Sequence, residues 1–106
     1  MIIWVFIKVE VSTDGGLAGH YWLRKAHKFP TLPPIGYELD YRHRTRETVI
    51  LDRVLMTPES EALTAYQNAW FAFGVGELVL WESAGWEKLE MAPEDKAPRT
   101  KEAKGK

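Results

Sequence analysis

Three arginines at alternate positions, Arg42, Arg44 and Arg46, directly follow Tyr41. Guanidinium groups bind phosphate or carboxylate in bidentate fashion, and a neighbouring ring can stack on a base or on a guanidinium. At strand spacing all three would project from the same side of a hairpin end. Upstream, Trp22, Arg24 and Lys25, with Tyr21 and Lys28, repeat the chemistry. Rings interleaved with cations suit a single-stranded nucleic acid, where phosphates supply attraction and ring faces hold bases. They equally suit a protein surface, where Trp, Tyr and Arg carry much of the contact energy. The candidate contact surface is therefore Trp22, Arg24, Lys25, Tyr41, Arg42, Arg44 and Arg46. The plainer reading pairs Arg42–Arg46 with Glu38, Asp40 and Glu47 in a solvated turn.

Charge is unevenly placed along the chain. Residues 20–53 hold seven Lys/Arg against four Asp/Glu, residues 54–92 one Lys against six Glu, and the net charge is only −1. A chain that is not basic overall favours a protein partner over nucleic acid. The acidic half would attract a basic partner. A basic hairpin on one copy meeting an acidic edge on another would make a homodimer.

Catalytic signatures are thin. His20, His27 and His43 match no metal-ligand spacing, and Ser12, Ser60 and Ser83 lack a nucleophile-elbow context. With no cysteine, disulfides, thiolate zinc sites and cysteine nucleophiles are excluded. His43 with Asp40 or Asp52, or His20 beside the Gly15–Gly19 loop, would be the acid/base pair of a small enzyme. That loop lacks the Gly-Lys-Ser/Thr ending of a phosphate loop. No catalytic residue, metal or cofactor is assigned. The chain reads as a small non-catalytic binding or regulatory module acting through protein contacts. Single-stranded nucleic-acid binding through residues 20–46 is the alternative, and a His/Asp enzyme the second.

The elements that must position these residues follow from periodicity. Ile3, Val5, Ile7, Val9 and Val11 alternate on one face of a first strand, with Ile2, Trp4 and Phe6 on the other. Thr13–Gly16 supplies a turn; the pattern of His20–Phe29 fits helix or strand, and its place after a turn and before FPTLPP favours a second strand. Phe29, Leu32 and Ile35 would anchor a proline-stiffened crossover, FPTLPPIG, to the core. Residues 37–41 and 48–55 read as strands flanking the exposed Arg42–Arg46 tip. An apolar-proline segment followed by glycine and an alternating strand, over 29–55, resembles the start of small SH3-like barrels.

The spacing of Ala62, Leu63, Tyr66, Ala69, Trp70 and Phe73 predicts a helix over about 58–73. Thr57 would be its N-cap, Pro58 its first residue, Glu59 and Glu61 its acidic first turn, and Gly74 its stop. Leu78–Trp81 and Trp86–Met91 would form a last hairpin. Trp4, Trp70 and Trp81 fall at core positions, whereas Trp22 and Trp86 lie beside turns and charges as candidate exposed rings.

The expected fold class is α+β, a mostly antiparallel sheet or small partly open barrel of about 5–6 strands with one covering helix. It forms one domain over residues 1–91, and 92–106 form a disordered basic tail. The apolar start is interrupted by Lys8 and Glu10 and is too short to span a bilayer, so the protein is expected to be soluble and cytoplasmic, with no membrane partner.

Overall fold

The computed structural model describes residues 1–57 and 62–91, and among these it has seven strands and one helix in an α+β arrangement. Strands β1 (Ile2–Thr13) and β2 (Gly16–Lys28) form a long antiparallel hairpin. Gly16, at φ 117°, takes the left-handed conformation its turn needs. Strands β3 (Glu38–Asp40) and β4 (Thr48–Ile50) form a short separate hairpin. Strands β5 (Arg53–Thr57) and β6 (Ala62–Gly74) are antiparallel, and helix α1 (Val75–Ser83) and β7 (Glu87–Glu90) follow.

The main sheet runs β5-β6-β1-β2-β7, with β1 in the middle. Only the β1–β6 pairing is parallel, so the sheet is mixed, and it is open, with no barrel closure.

β1 alternates as its sequence dictates: Ile3, Val5, Ile7 and Val9 are fully buried and Val11 nearly so. Helix α1 and the β3–β4 hairpin cover this one face, contributing Trp81, Val49 and Leu51, all fully buried. Met91, the last described residue, is also buried.

The helix lies elsewhere than the stripe predicted. Residues 62–74 are a strand, and Thr57 closes β5; Pro58, Glu59 and Glu61 lie outside the described residues, as does the 92–106 tail. The error has a geometric origin. Phe6 pairs with Tyr66 but Lys8 pairs with Trp70, so β6 advances four residues while β1 advances two. This bulge leaves two outward residues, Tyr66 and Trp70, at the i, i+4 spacing of a helix face. Beyond it, ordinary alternation resumes, with Val9 opposite Phe71 and Val11 opposite Phe73.

Helix α1 instead covers Val75–Ser83 and includes the Leu78–Trp81 segment expected as a strand. Gly74 is its N-cap, not a stop, and Glu77 Oε1 accepts the Gly74 N–H at 2.8 Å. The helix ends in a Schellman arrangement: the Trp86 N–H donates to Trp81 O and the Gly85 N–H to Glu82 O, with Gly85 at φ 102°. The Trp81 and Trp86 rings, 5.2 Å apart, provide the apolar contact that accompanies this cap.

Five further side-chain expectations change. Trp86 is buried, closed in by Trp81 and Tyr41. Trp4 is 37% exposed and Trp70 half-buried, because both point away from the covered face. Leu32 and Ile35 are exposed, and Phe29 alone of the three anchors is buried. Its carbonyl accepts the Met1 ammonium at 2.6 Å, while its N–H donates to Met1 O, tying the crossover to the start of β1.

Candidate functional site

α1 and the β3–β4 hairpin cover one face of the five-stranded sheet, and among the described residues no element covers the other, the open face. Even-numbered residues of β1 and β2 point to it, as do alternate residues of β6, β5 and β7. The registers set Arg53, Tyr66, Phe6, Arg24 and Glu87 in one row across all five strands, and Trp70, Lys8, Trp22 and Leu89 in the next. Trp4 stands one row above and the Glu10–His20 pair one row below.

Phe6, Trp22 and Tyr66 form one ring cluster, and Trp70 pairs with His20 beside it. Phe6 stacks on Tyr66 at 5.2 Å, and Trp22 meets Phe6 and Tyr66 edge-on at 6.0 and 5.8 Å. Trp70 lies against His20 at 5.1 Å. Cations lie over the remaining ring faces: Arg24 is 4.8 Å from the Trp4 ring and Lys8 5.5 Å from Trp70. Arg24 also donates to Glu87 Oε1 at 2.8 Å, and His20 Nε2 lies 3.6 Å from Glu10 Oε1. The face is thus aromatic at its centre, with Arg24 and His20 each set against a carboxylate.

The residues expected to make one contact surface are divided by this architecture. Trp22 and Arg24 belong to the open face. Lys25, one residue on, points to the covered face and donates to Ala84 O at 2.7 Å, at the C-terminal end of α1. There the helix dipole and the free carbonyls favour a cation. Tyr41 is on that side too, half-buried against Trp81, Trp86 and His27.

Arg42, Arg44 and Arg46 do form the exposed tip between β3 and β4, but not on a strand. The Thr45 N–H donates to Tyr41 O and the Arg46 N–H to Arg42 O, winding the tip into a helical turn, and Arg46 has φ 68°. Alternate residues on such a turn do not share a side. Arg42 is further held by Asp40, which accepts from Nε and Nη2 at 2.9 Å each. Those bonds keep the Asp40 carboxyl well below the usual carboxylate range.

The three histidines have separate surroundings. His43 is exposed on the tip, beside an Asp40 already engaged by Arg42. His20 lies on the open face. His27 Nδ1–H donates to Lys25 O at 3.0 Å, leaving Nε2 to accept from the Tyr41 hydroxyl. Burial lowers the His27 pKa from 6.5, and burial raises that of Tyr41. Among the described residues, no three His, Asp or Glu side chains are grouped to hold a metal ion.

Sequence reasoning missed Trp4, Phe6, Lys8, Tyr66 and Trp70 as members of a surface. Trp4 and Phe6 carried a signal, lying on the second face of a strand whose first face already fills a core. Tyr66 and Trp70 carried none, since the bulge disguised them as a helical stripe.

Among the described residues, fold and face together define a class: a small α+β domain with its core on one side of the sheet and half-buried rings on the other, where Trp4 alone of the rings is exposed. Compared with known protein families, curated proteins and solved structures, the chain matches none. No helix among the described residues is long and apolar enough to cross a membrane.

Proposed function

We propose that the protein is a non-catalytic cytoplasmic binding module that docks a protein partner on the open face of its sheet. One observation carries this reading: among the described residues helix and hairpin cover a single face, while the other carries the half-buried ring cluster of Phe6, Trp22 and Tyr66, with Trp4 and Trp70 in neighbouring rows, each with a cation over its ring. From strand spacing and rise, the decorated area is about 24 Å across and 20 Å from Trp4 to Glu10, on the order of 500 Å². That area mixes rings with Lys8, Arg24, Arg53, Glu10 and Glu87, an amphipathic surface and not a purely apolar one. Trp, Tyr and Arg are also the residue types that dominate interface energy.

A second copy is the less suitable occupant. A twofold axis through the centre of the face would bring the two Lys8 ammonium groups together, and like charges in an interface are unfavourable.

Single-stranded nucleic acid is the second reading, supported by Lys8 and Arg24 standing over rings on the same face. Against it, Glu87 and Glu10 share that face, and three rings are packed on one another instead of presenting free faces to bases. The basic tip is also remote from this face in the fold.

The test is site-specific photocrosslinking in cells, with the photoreactive residue at Trp4, at Arg24 or at the exposed Arg44. A discrete protein adduct at Trp4 and Arg24 but not at Arg44 is expected. The purified pair should then bind with little salt dependence and lose about thirtyfold in affinity on Trp4→Ala. Oligonucleotide binding that persists at physiological salt and disappears on Arg24→Glu would overturn the reading in favour of nucleic acid. A dimer in sedimentation that Trp4→Ala dissociates would overturn it in favour of self-association.

A further inference from the structure

The β3–β4 tip is wound on one residue and fastened to the sheet by that residue's side chain. Tyr41 O accepts the Arg44 and Thr45 N–H groups at 2.9 and 2.7 Å, and the Tyr41 N–H donates to Glu47 O at 3.1 Å. The Tyr41 ring lies against Trp81 and Trp86, and its hydroxyl donates to His27 Nε2 on β2. Thr45, buried, completes the inner side of the turn, while Arg42, His43, Arg44 and Arg46 face solvent.

Among the described residues, several elements enclose the His27 ring. From β2 itself comes Lys25, whose carbonyl accepts Nδ1–H at 3.0 Å and whose ammonium lies 5.9 Å from the Tyr41 ring. From the tip comes the Tyr41 phenol, with the Arg44 charge acting on it. The crossover supplies Phe29 at 6.2 Å, the segment after α1 supplies Trp86 at 5.5 Å, and Ile3 stands opposite on β1. Burial chiefly, and the Lys25 charge with it, favours the neutral imidazole over the imidazolium, against the opposing pull of the Lys25 carbonyl.

Protonation at Nε2 takes away the acceptor that Tyr41 uses. The hydroxyl would have to turn round to accept from Nε2–H, aiming its own proton at the Trp81 and Trp86 rings. The imidazolium would stay half-buried in the field of the Lys25 ammonium. Raising the tip removes both costs, because hydroxyl and imidazolium then reach water. The turn itself survives the change: Asp40 holds Arg42 at 2.9 Å through Nε and Nη2, and its carboxyl stays ionised well below the range in which histidine titrates.

We propose that His27 is the latch of the tip: the neutral imidazole holds residues 41–47 against the sheet, and protonation releases them while the five strands stay paired. The released form takes up the proton more readily than the fastened form, so lowering the pH through the His27 titration moves the population toward release. Release uncovers the Trp86 ring, which Tyr41 otherwise closes in. The latch works on the covered side of the sheet and does not depend on docking at the open face.

The experiment follows the intact protein by NMR from about pH 8 downward. Imidazole resonances report the protonation of His27, and backbone order parameters report the motion of residues 42–46. Those order parameters should fall from about 0.85 to below about 0.6 as His27 protonates. Far-ultraviolet circular dichroism should hold constant through the step, and tryptophan emission should shift to the red. The step should be absent from His27→Gln and retained in His43→Gln, at an exposed position, and Tyr41→Phe should have a mobile tip already at neutral pH.

Order parameters that do not change when His27 is fully protonated would overturn the latch. So would a step that survives in His27→Gln or vanishes in His43→Gln, because the proton would then act elsewhere. Loss of the far-ultraviolet signal in the same step would mean global unfolding instead of local release, and would overturn it equally. Should His27→Gln not fold, Tyr41→Phe decides: a tip as rigid as the parent's at neutral pH would overturn the proposal.

Discussion

Replacing Trp81 by Ala should remove more stability than replacing Trp4, although both rings lie on the same sheet system. Trp81 is fully buried, against Phe71 at 5.3 Å, Phe73 at 5.4 Å, Tyr41 at 6.0 Å and Trp86 at 5.2 Å. A buried indole removes about 200 Å² from water, worth about 5 kcal/mol at 25 cal/mol per Å². Measured truncations of buried aromatics cluster near 3–5 kcal/mol, roughly the same scale.

Trp4 retains 37% exposure, so the same arithmetic bounds its contribution at about 3 kcal/mol. Its removal also leaves a notch open to water and no sealed cavity. A domain of this length is stable by roughly 5–15 kcal/mol, so Trp81→Ala approaches global unfolding while Trp4→Ala leaves a folded protein. Urea unfolding followed by circular dichroism measures both, with Trp81→Phe as an intermediate that keeps a ring. Equal losses for the two alanine variants would refute the one-sided core. So would a loss below about 1 kcal/mol for Trp81→Ala, because such a value belongs to a surface site.

Two further outcomes follow from buried polar contacts. Gln67 is nearly buried, and its Oε1 accepts the Ile50 N–H at 2.8 Å, linking β6 to the β3–β4 hairpin. Gln67→Leu strands that donor and should lose about 1–3 kcal/mol, with faster amide exchange at Ile50 than at Ile7; unchanged exchange at Ile50 would refute the link. The second concerns His27, whose pKa burial lowers from 6.5. The unfolded chain therefore binds the additional proton first, so the His27 contribution is full above pH 6.5 and is lost as pH falls through the lower folded value. Urea midpoints should fall in that acid range, and the fall should be smaller in His27→Gln; a variant with the same pH profile as the parent would exclude His27 as the cause.

What the sequence showed depended on whether a local pattern was free of tertiary adjustment. β1 was legible because Ile3 to Val11 alternate without interruption and fill the core face as they stand. The hairpin flanking Arg42–Arg46 was legible because short alternating runs bracket a polar tip, and the structure places that tip in solvent. Residues 62–74 misled because the two additional residues opposite Phe6–Lys8 exist only to fit a parallel neighbour distant in sequence. α1 was hidden for the opposite reason. Val75, Gly76 and Val79 are poor helix formers, so its helicity comes from the cap at Gly74, the Schellman end and the docking of Trp81. Trp22 and Arg24 do share one sheet face, but grouping them with Lys25 overlooked that adjacent strand residues point to opposite faces.

The parallel pairing of β1 with β6 also sets the order in which the protein can fold. Trp4 and Thr64 are partners about 60 positions apart in sequence, so the central strand waits on a large closed loop for its second neighbour. The β1–β2 hairpin needs only a local turn and can form first, as soon as Lys28 leaves the ribosome. Until β6 is synthesised, that hairpin presents a twelve-residue edge of unpaired backbone flanked by Val5, Ile7 and Val9. Such edges are templates for intermolecular pairing. Lys8 and Glu10, the only charges within β1, interrupt the apolar run at that edge. They would act as gatekeepers during biogenesis, before β6 covers that edge.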